Sequence, residues 1–279
     1  MKRLPVLRPR ALPRPSVALA WTVLVLLVLA AAFPGLFTGK SPIEIDAATA
    51  LRGPGPGHWF GTDQLGRDQF ARVVHGARPS LLVGLGSIAF AVVAGALYGL
   101  ASALLGRTAD RVLMGINDIV LALPQLLLAL LALAILGSGQ LNVMVAIALA
   151  FLPGYARLVR AEALVVRNSG YVETAVTLGQ GPFTRAFRHV LPNALGPLLV
   201  LASTGFGMSL ISVSALSFLG FGARPPTPEW GVMLSEGRGL LQTAWWLGVF
   251  PGAAITLTVV AVTVAGRAAQ ARFTRRTAG

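Results

Sequence analysis

The stretch GYVETAVTLGQGPFTRAFRHVLPN, residues 170–193, decides how the whole chain is read. It is polar, basic and interrupted by glycine, yet it lies between two strongly apolar segments. Tyr171, Ala175 and Leu178 recur at helical spacing with Val172 and Val176 beside them, which predicts a short amphipathic helix. Glu173 falls in its first turn, where the helix dipole favours an anion. Gly179-Gln180-Gly181 breaks that helix, and Pro182 suits the first position of a second one. On the second helix Phe183, Phe187, Val190 and Leu191 share a face, while Arg185, Arg188 and His189 point elsewhere. Pro192 closes the stretch. The pattern is a helix, a break and a helix held at a membrane surface, shaped to be gripped by another protein.

Working outward, the composition says membrane. Apolar residues make up 55% of the 279, only 12% are charged, and the mean hydropathy is +0.73. A net charge of +13 would suit nucleic acid, but the basic residues sit in short loops between apolar runs, as a topology signal does. With no cysteine, neither a disulfide framework nor a thiolate metal site is available.

The expected fold is all-α, with six transmembrane helices. A basic, proline-rich tail over 1–16 precedes a first span at 17–37. A cleaved signal peptide is the competing reading; the length of the run, with no small-x-small cleavage site, favours a retained helix. Residues 38–78 form the long polar segment, external, with an amphipathic helix over 61–78 capped by Thr62. Asp63 and Asp68 raise the idea of calcium, but the ligand pattern is far too sparse; local pairing of Arg67 with Asp68 is the adopted reading.

A five-helix core follows over 79–266. Its spans are 79–105, carrying the small-xxx-small pair Gly95 and Gly99; 112–136, with Asp118 two turns inside and a kink at Pro124; 141–159; 194–221; and 245–265. The cytoplasmic loop occupies 161–192, residues 222–244 read as a re-entrant or surface loop with Trp230 at the interface, and 267–279 is a basic tail. Six spans put both termini on one side. That side, with the 170–193 stretch, holds sixteen of the 23 Lys and Arg residues, against seven opposite, so it is cytoplasmic.

Catalytic signatures are missing from the sequence. There is no phosphate-cradling G-x-x-x-x-G-K-[ST], no H-E-x-x-H pair and no G-x-S-x-G elbow. Asp118 is a lone acid within a span, not the dyad of an aspartyl enzyme. An ionisable group there is paired or functional, and snorkelling, or a partner in the bundle, makes it structural. The chain reads as a non-enzyme that holds no cofactor or metal.

Several motifs carry a resemblance. Glu173, Ala175, Gly179, Leu191 and Pro192 match the EAA signature of the membrane subunits of ABC importers. The segments HWFGTDQLGRDQFARVVHGARPSLLVG, ALPQLLLAL, PGYARLVRAE, FRHVLPNALGPLLV, ALSFLGFG and PPTPEWGVMLSEGR resemble the second permease subunit of dipeptide, oligopeptide and nickel importers, from about residue 58 to 250. Thr174 departs from the signature's first alanine, and Val213 stands where relatives often carry an acid.

The resemblance implies a type I ABC importer-like permease fold. It implies an ATPase-coupling role for Tyr171, Glu173, Ala175, Leu178, Gly179, Phe183, Arg185, Leu191 and Pro192, with Asp118, Pro124, Ser212 and Ser217 set down as pathway or bundle-packing residues. It also implies partners: a second, homologous permease as heterodimer, two ABC ATPases carrying ATP and Mg, an extracytoplasmic substrate-binding protein and the lipid bilayer, with no nucleic acid. The cargo read from it is di- or oligopeptide, with nickel or another small solute as the alternative. A stand-alone secondary transporter predicts repeated halves and several buried ionisable groups, neither of which is visible. A structural scaffold leaves the cytoplasmic helix pair without a reason.

Overall fold

A computed structural model describes residues 14–167, 180–181, 184, 188 and 191–277. Among these residues it contains eight α-helices and no strand: α1 (Arg14–Ala32), α2 (Gln69–Leu104), α3 (Arg107–Leu121), α4 (Gln125–Leu136), α5 (Gln140–Arg167), α6 (Leu191–Phe218), α7 (Trp230–Gly237) and α8 (Trp246–Thr277). Five of them are long and apolar enough to cross a membrane, and the bent pair α3–α4 brings the count to six. Large apolar side chains such as Leu82, Val93, Leu131, Ile135 and Leu257 are exposed on the outside, as hydrocarbon contact requires.

The α2–α5 pair is the spine. Gly95 and Gly99 let the two backbones meet: a methyl group at Gly95 would lie 2.7 Å from Tyr155 Cβ and 2.9 Å from the Leu152 carbonyl. The expected small-residue packing is therefore present, with α5 as its partner. The main apolar core is shared by α2, α4, α5 and α6 through Ile88, Leu133, Ile147, Tyr155, Leu198 and Leu216. A second cluster, with Ala30, Val74, Leu210, Trp230, Met233 and Ile255, ties α1, α7 and α8 to α2 and α6.

Several boundaries differ from expectation. The outer amphipathic helix and the second span are one helix of 36 residues, roughly 54 Å at ~1.5 Å per residue against a ~30 Å hydrocarbon core. It starts at Gln69, with Asp68 as cap accepting from the Ala71 N–H at 2.9 Å. Thr62 is no cap; it lies in the preceding loop, where its hydroxyl accepts from the Arg52 N–H at 2.9 Å. That loop folds tightly because Gly66 adopts φ +75° directly against the Asp46 carbonyl, where a side chain would overlap it. The expected single kink at Pro124 is a 99° break between α3 and α4, and α3 takes in Arg107, Asp110 and Arg111, which lie between the expected spans 79–105 and 112–136. Residues 161–167, assigned to the cytoplasmic loop, continue α5, and most of the basic tail continues α8 as far as Thr277. Trp230 is not interfacial: it is 1% exposed, and its indole N–H donates to the Val73 carbonyl at 2.9 Å. Of the Trp245-Trp246 pair, Trp245 is exposed, while Trp246 is buried and donates to the Thr62 carbonyl at 3.0 Å.

Candidate functional site

Tyr171, Glu173, Ala175, Leu178, Gly179, Phe183 and Arg185 lie outside the described residues. The two ends of their segment are in place. α5 delivers the chain to it at Arg167, and α6 takes it up at Leu191. Leu191 is partly buried against the main core, and Pro192 sits exposed in the first turn of α6, where its missing N–H costs nothing. Pro192 thus opens a helix rather than closing the stretch.

Charge fastens α3 across α5. Arg160 grips Asp110 with both arms, the Nη2–Oδ2 distance being 2.6 Å, and the Ser102 hydroxyl donates to the same carboxylate. Asp118 pairs with Arg157, a partner that its own sequence neighbourhood did not offer; the two are 61% and 57% exposed. Tyr98 of α2 adds a hydrogen bond to the Leu113 carbonyl at 2.8 Å. α3 is therefore strapped to the half of α5 that leads into residues 168–190.

At the opposite end, a charged network fixes the 40–68 loop to α2 and α7. Asp63 accepts from Arg67 Nε at 2.6 Å and from Arg72 Nη1, and Arg72 Nη2 donates to Glu236 at 2.7 Å. Arg72 is 1% exposed, so this is a desolvated cluster. Asp68 accepts from Lys40 at 3.0 Å and contacts His58 Nδ1 at 2.9 Å, not Arg67. Glu229 caps α7 by accepting from the N–H groups of Gly231 and Val232 at 2.9 and 3.0 Å. It also accepts from Ser80 and Ser217, which binds α7 to α2 and α6. Burial raises the Glu229 carboxyl above its ordinary value, against those hydrogen bonds.

The four pathway or packing candidates do not converge. Asp118 and Pro124 flank the α3–α4 break. Ser217 is buried in the Glu229 cluster, so it packs. Ser212 is half-buried, its hydroxyl turned back on the Met208 carbonyl at 3.0 Å. Val213 is buried in the main core. Sequence reading missed the Asp63–Arg67–Arg72–Glu236 cluster, because its bonded partners lie up to 169 residues apart. It also missed an open-sided hollow of about 230 Å³ between α4, α5 and α6, lined by Gln125, Phe151, Tyr155 and Thr204 among others.

Comparison with known proteins gives these placements a context. The family described as binding-protein-dependent transport system inner membrane component matches residues 71–279. The dipeptide transport system permease protein DppC of Alkalihalophilus pseudofirmus is 41% identical over 86% of this chain and 79% of its own length. The glutathione transport system permease protein GsiD of Pectobacterium atrosepticum is 41% identical over 91% and 85%. A probable D,D-dipeptide transport system permease protein, DdpC of Escherichia coli, is 41% identical over 88% and 82%. Among solved structures, a chain of the MetNI methionine ABC transporter in an inward-facing form superposes with a TM-score of 0.59 at 19% identity, covering 74% of this chain and 95% of that one.

Proposed function

Since the chain belongs to the family of binding-protein-dependent transport system inner membrane components, we propose that it is the membrane-spanning permease subunit of an ATP-driven importer of di- or oligopeptides. The observation that carries this reading is 41% identity over most of the chain to permeases named for dipeptide and glutathione transport. The same names weigh against nickel as cargo. The family description weighs against the stand-alone carrier, which needs no binding protein. The permease forms half of a path completed by a homologous subunit, with two ATPases on the cytoplasmic side and a binding protein outside.

ATP hydrolysis belongs to the partners. This chain contributes the element that receives the ATPase stroke, residues 170–193. Three arrangements support that role: α5 enters the segment as a continuous helix, α6 leaves it as another, and α3 is clamped to α5 by two ion pairs. A push on the segment is then delivered to rigid elements rather than absorbed in loops. Both termini and the segment face the cytoplasm.

Gly179 and Glu173 test the assignment. A glycine just past a helix end commonly adopts a left-handed conformation, which a side chain reaches at a cost of ~1–2 kcal/mol. Gly179→Val re-aims the element, and Glu173→Lys sets a cation against a positive helix terminus. With purified partners in vesicles, both variants should insert and pair with the second permease, but bind the ATPase weakly or hydrolyse ATP without uptake. Normally coupled uptake in Gly179→Val would show that the segment is not the coupling element.

A further inference from the structure

The hollow between α4, α5 and α6 has features of a binding site that no packing role explains. It measures about 230 Å³ and is walled by Phe151, Leu201 and Met208, with Gln125 and Thr204 as its neutral polar groups. Tyr155 also lines it. That side chain is 2% exposed, yet among the described residues its hydroxyl finds no hydrogen-bond partner. The hydroxyl is fixed against Gly205, where any side chain would overlap it. A buried hydroxyl left unpaired costs free energy unless something else meets it.

The face that carries the hollow is not a lipid face. One turn along α5 from Gly154 stands Arg157, exposed and paired with exposed Asp118. One turn along α6 from Met208 stands half-buried Ser212, and Gln125 is exposed at the start of α4. An exposed ion pair and a carboxamide beside the hollow suit a bundle interior or a watered cavity better than lipid tails.

Resting on the peptide-importer reading, we propose that this hollow is a cargo subsite within the membrane, which receives one uncharged side chain of the passing peptide while the exposed Gln125 carboxamide meets the adjoining peptide group. Among the described residues no carboxylate, ammonium or guanidinium lines it, so a charged side chain meets no counter-ion from them there. Its volume falls below the ~300–1,000 Å³ of sites that enclose a whole small molecule, so it holds one part of the peptide. Met208 supplies an adaptable wall that suits side chains of several shapes.

Gly154 makes the subsite testable. It lines the hollow, and nothing lies within 4 Å of where its Cβ would project, so Gly154→Leu introduces bulk into the hollow from an uncrowded point of α5. In vesicles holding the complete importer, uptake of alanyl-alanine and of phenylalanyl-phenylalanine is measured side by side. The ratio of the bulky to the small dipeptide should fall at least about tenfold in Gly154→Leu, with their binding to the isolated binding protein unchanged. An unaltered ratio overturns the subsite. Wild type that moves neither dipeptide overturns the peptide reading, and the subsite with it.

A second variant covers failure of Gly154→Leu to assemble. The natural chain has no cysteine, so Gly154→Cys carries the sole thiol in this subunit. A water-soluble maleimide should label it, and phenylalanyl-phenylalanine during turnover should slow the labelling more than alanyl-alanine does. No labelling in any nucleotide state, or equal protection by both dipeptides, overturns the proposal.

Discussion

A close approach of two backbones in the spine gives a sharp test of the fold. Replacing Gly95 with alanine puts a methyl group 2.7 Å from Tyr155 Cβ, 2.9 Å from the Leu152 carbonyl oxygen and 3.1 Å from the Ala156 nitrogen. All three atoms are backbone or rigidly attached to it, so no rotamer change relieves the contact. Restoring an ordinary 3.4 Å contact with Tyr155 Cβ means parting α2 and α5 by about 0.7 Å. Such overpacking typically costs ~1–3 kcal/mol, and in a membrane no hydrophobic gain between the helices offsets it. Gly115→Ala is the matched control. Gly115 lies within α3 with nothing inside 4 Å of its would-be side chain. Both changes gain the same helix propensity, so the difference between them isolates the packing. Unfolding of the purified chain in mixed micelles, followed by circular dichroism as the denaturing detergent fraction rises, should place Gly95→Ala about 1–3 kcal/mol below Gly115→Ala. Adding Gly99→Ala should then cost less than it does alone, because one displacement of α5 serves both sites. Equal stability of Gly95→Ala and Gly115→Ala would refute the backbone-to-backbone contact on which the α2–α5 spine is built.

Reporters fused at residue 180 and at the C-terminal tail should both read as cytoplasmic and one at Pro56 as external, given the basic-residue asymmetry; a cytoplasmic signal at Pro56 would undo the six-span topology. Asp63→Asn leaves Arg67 and Arg72 with only Glu236, itself partly exposed, and should lower unfolding stability by about 3 kcal/mol, measured in the same detergent titration. Asp110→Asn weakens the carboxylate that both arms of Arg160 and the Ser102 hydroxyl share and should lower stability in the same titration, and an unchanged unfolding midpoint would count against the strap of α3 on α5.

Proline shows how far the sequence carried and where it stopped. Composition and apolar runs were enough for an all-helical membrane chain, because hydrocarbon leaves a backbone few other solutions. The positions of the helix ends were not legible in the same way. Pro79 and Pro124 look alike in sequence, and each was expected to mark a boundary or a bend. At Pro79 the helix runs straight on, because neighbours hold both sides of it. The Gln140 amide donates to the Pro79 carbonyl at 3.4 Å, the Ser80 hydroxyl donates to Glu229, and Trp230 ties the preceding turn through Val73. At Pro124 residues 122–126 are exposed, nothing described braces them, and the chain turns by 99°. The residue supplies the same missing donor and the same ring in both places; elements more than 60 residues away decide between a continued helix and a break. The same holds for Trp230, which an interfacial aromatic belt would have claimed, but which α7 carries inward onto α2. It holds again for Asp118, whose partner Arg157 comes from another helix. The hollow follows from these outcomes jointly. It exists because α4 starts afresh at Gln125 beside Gly154 and Gly205, and the exposed Asp118–Arg157 pair next to it exists because α3 stops short of Pro124. A chain whose third span merely kinked at Pro124 would carry the same residues without bringing Gln125 and Tyr155 to one wall.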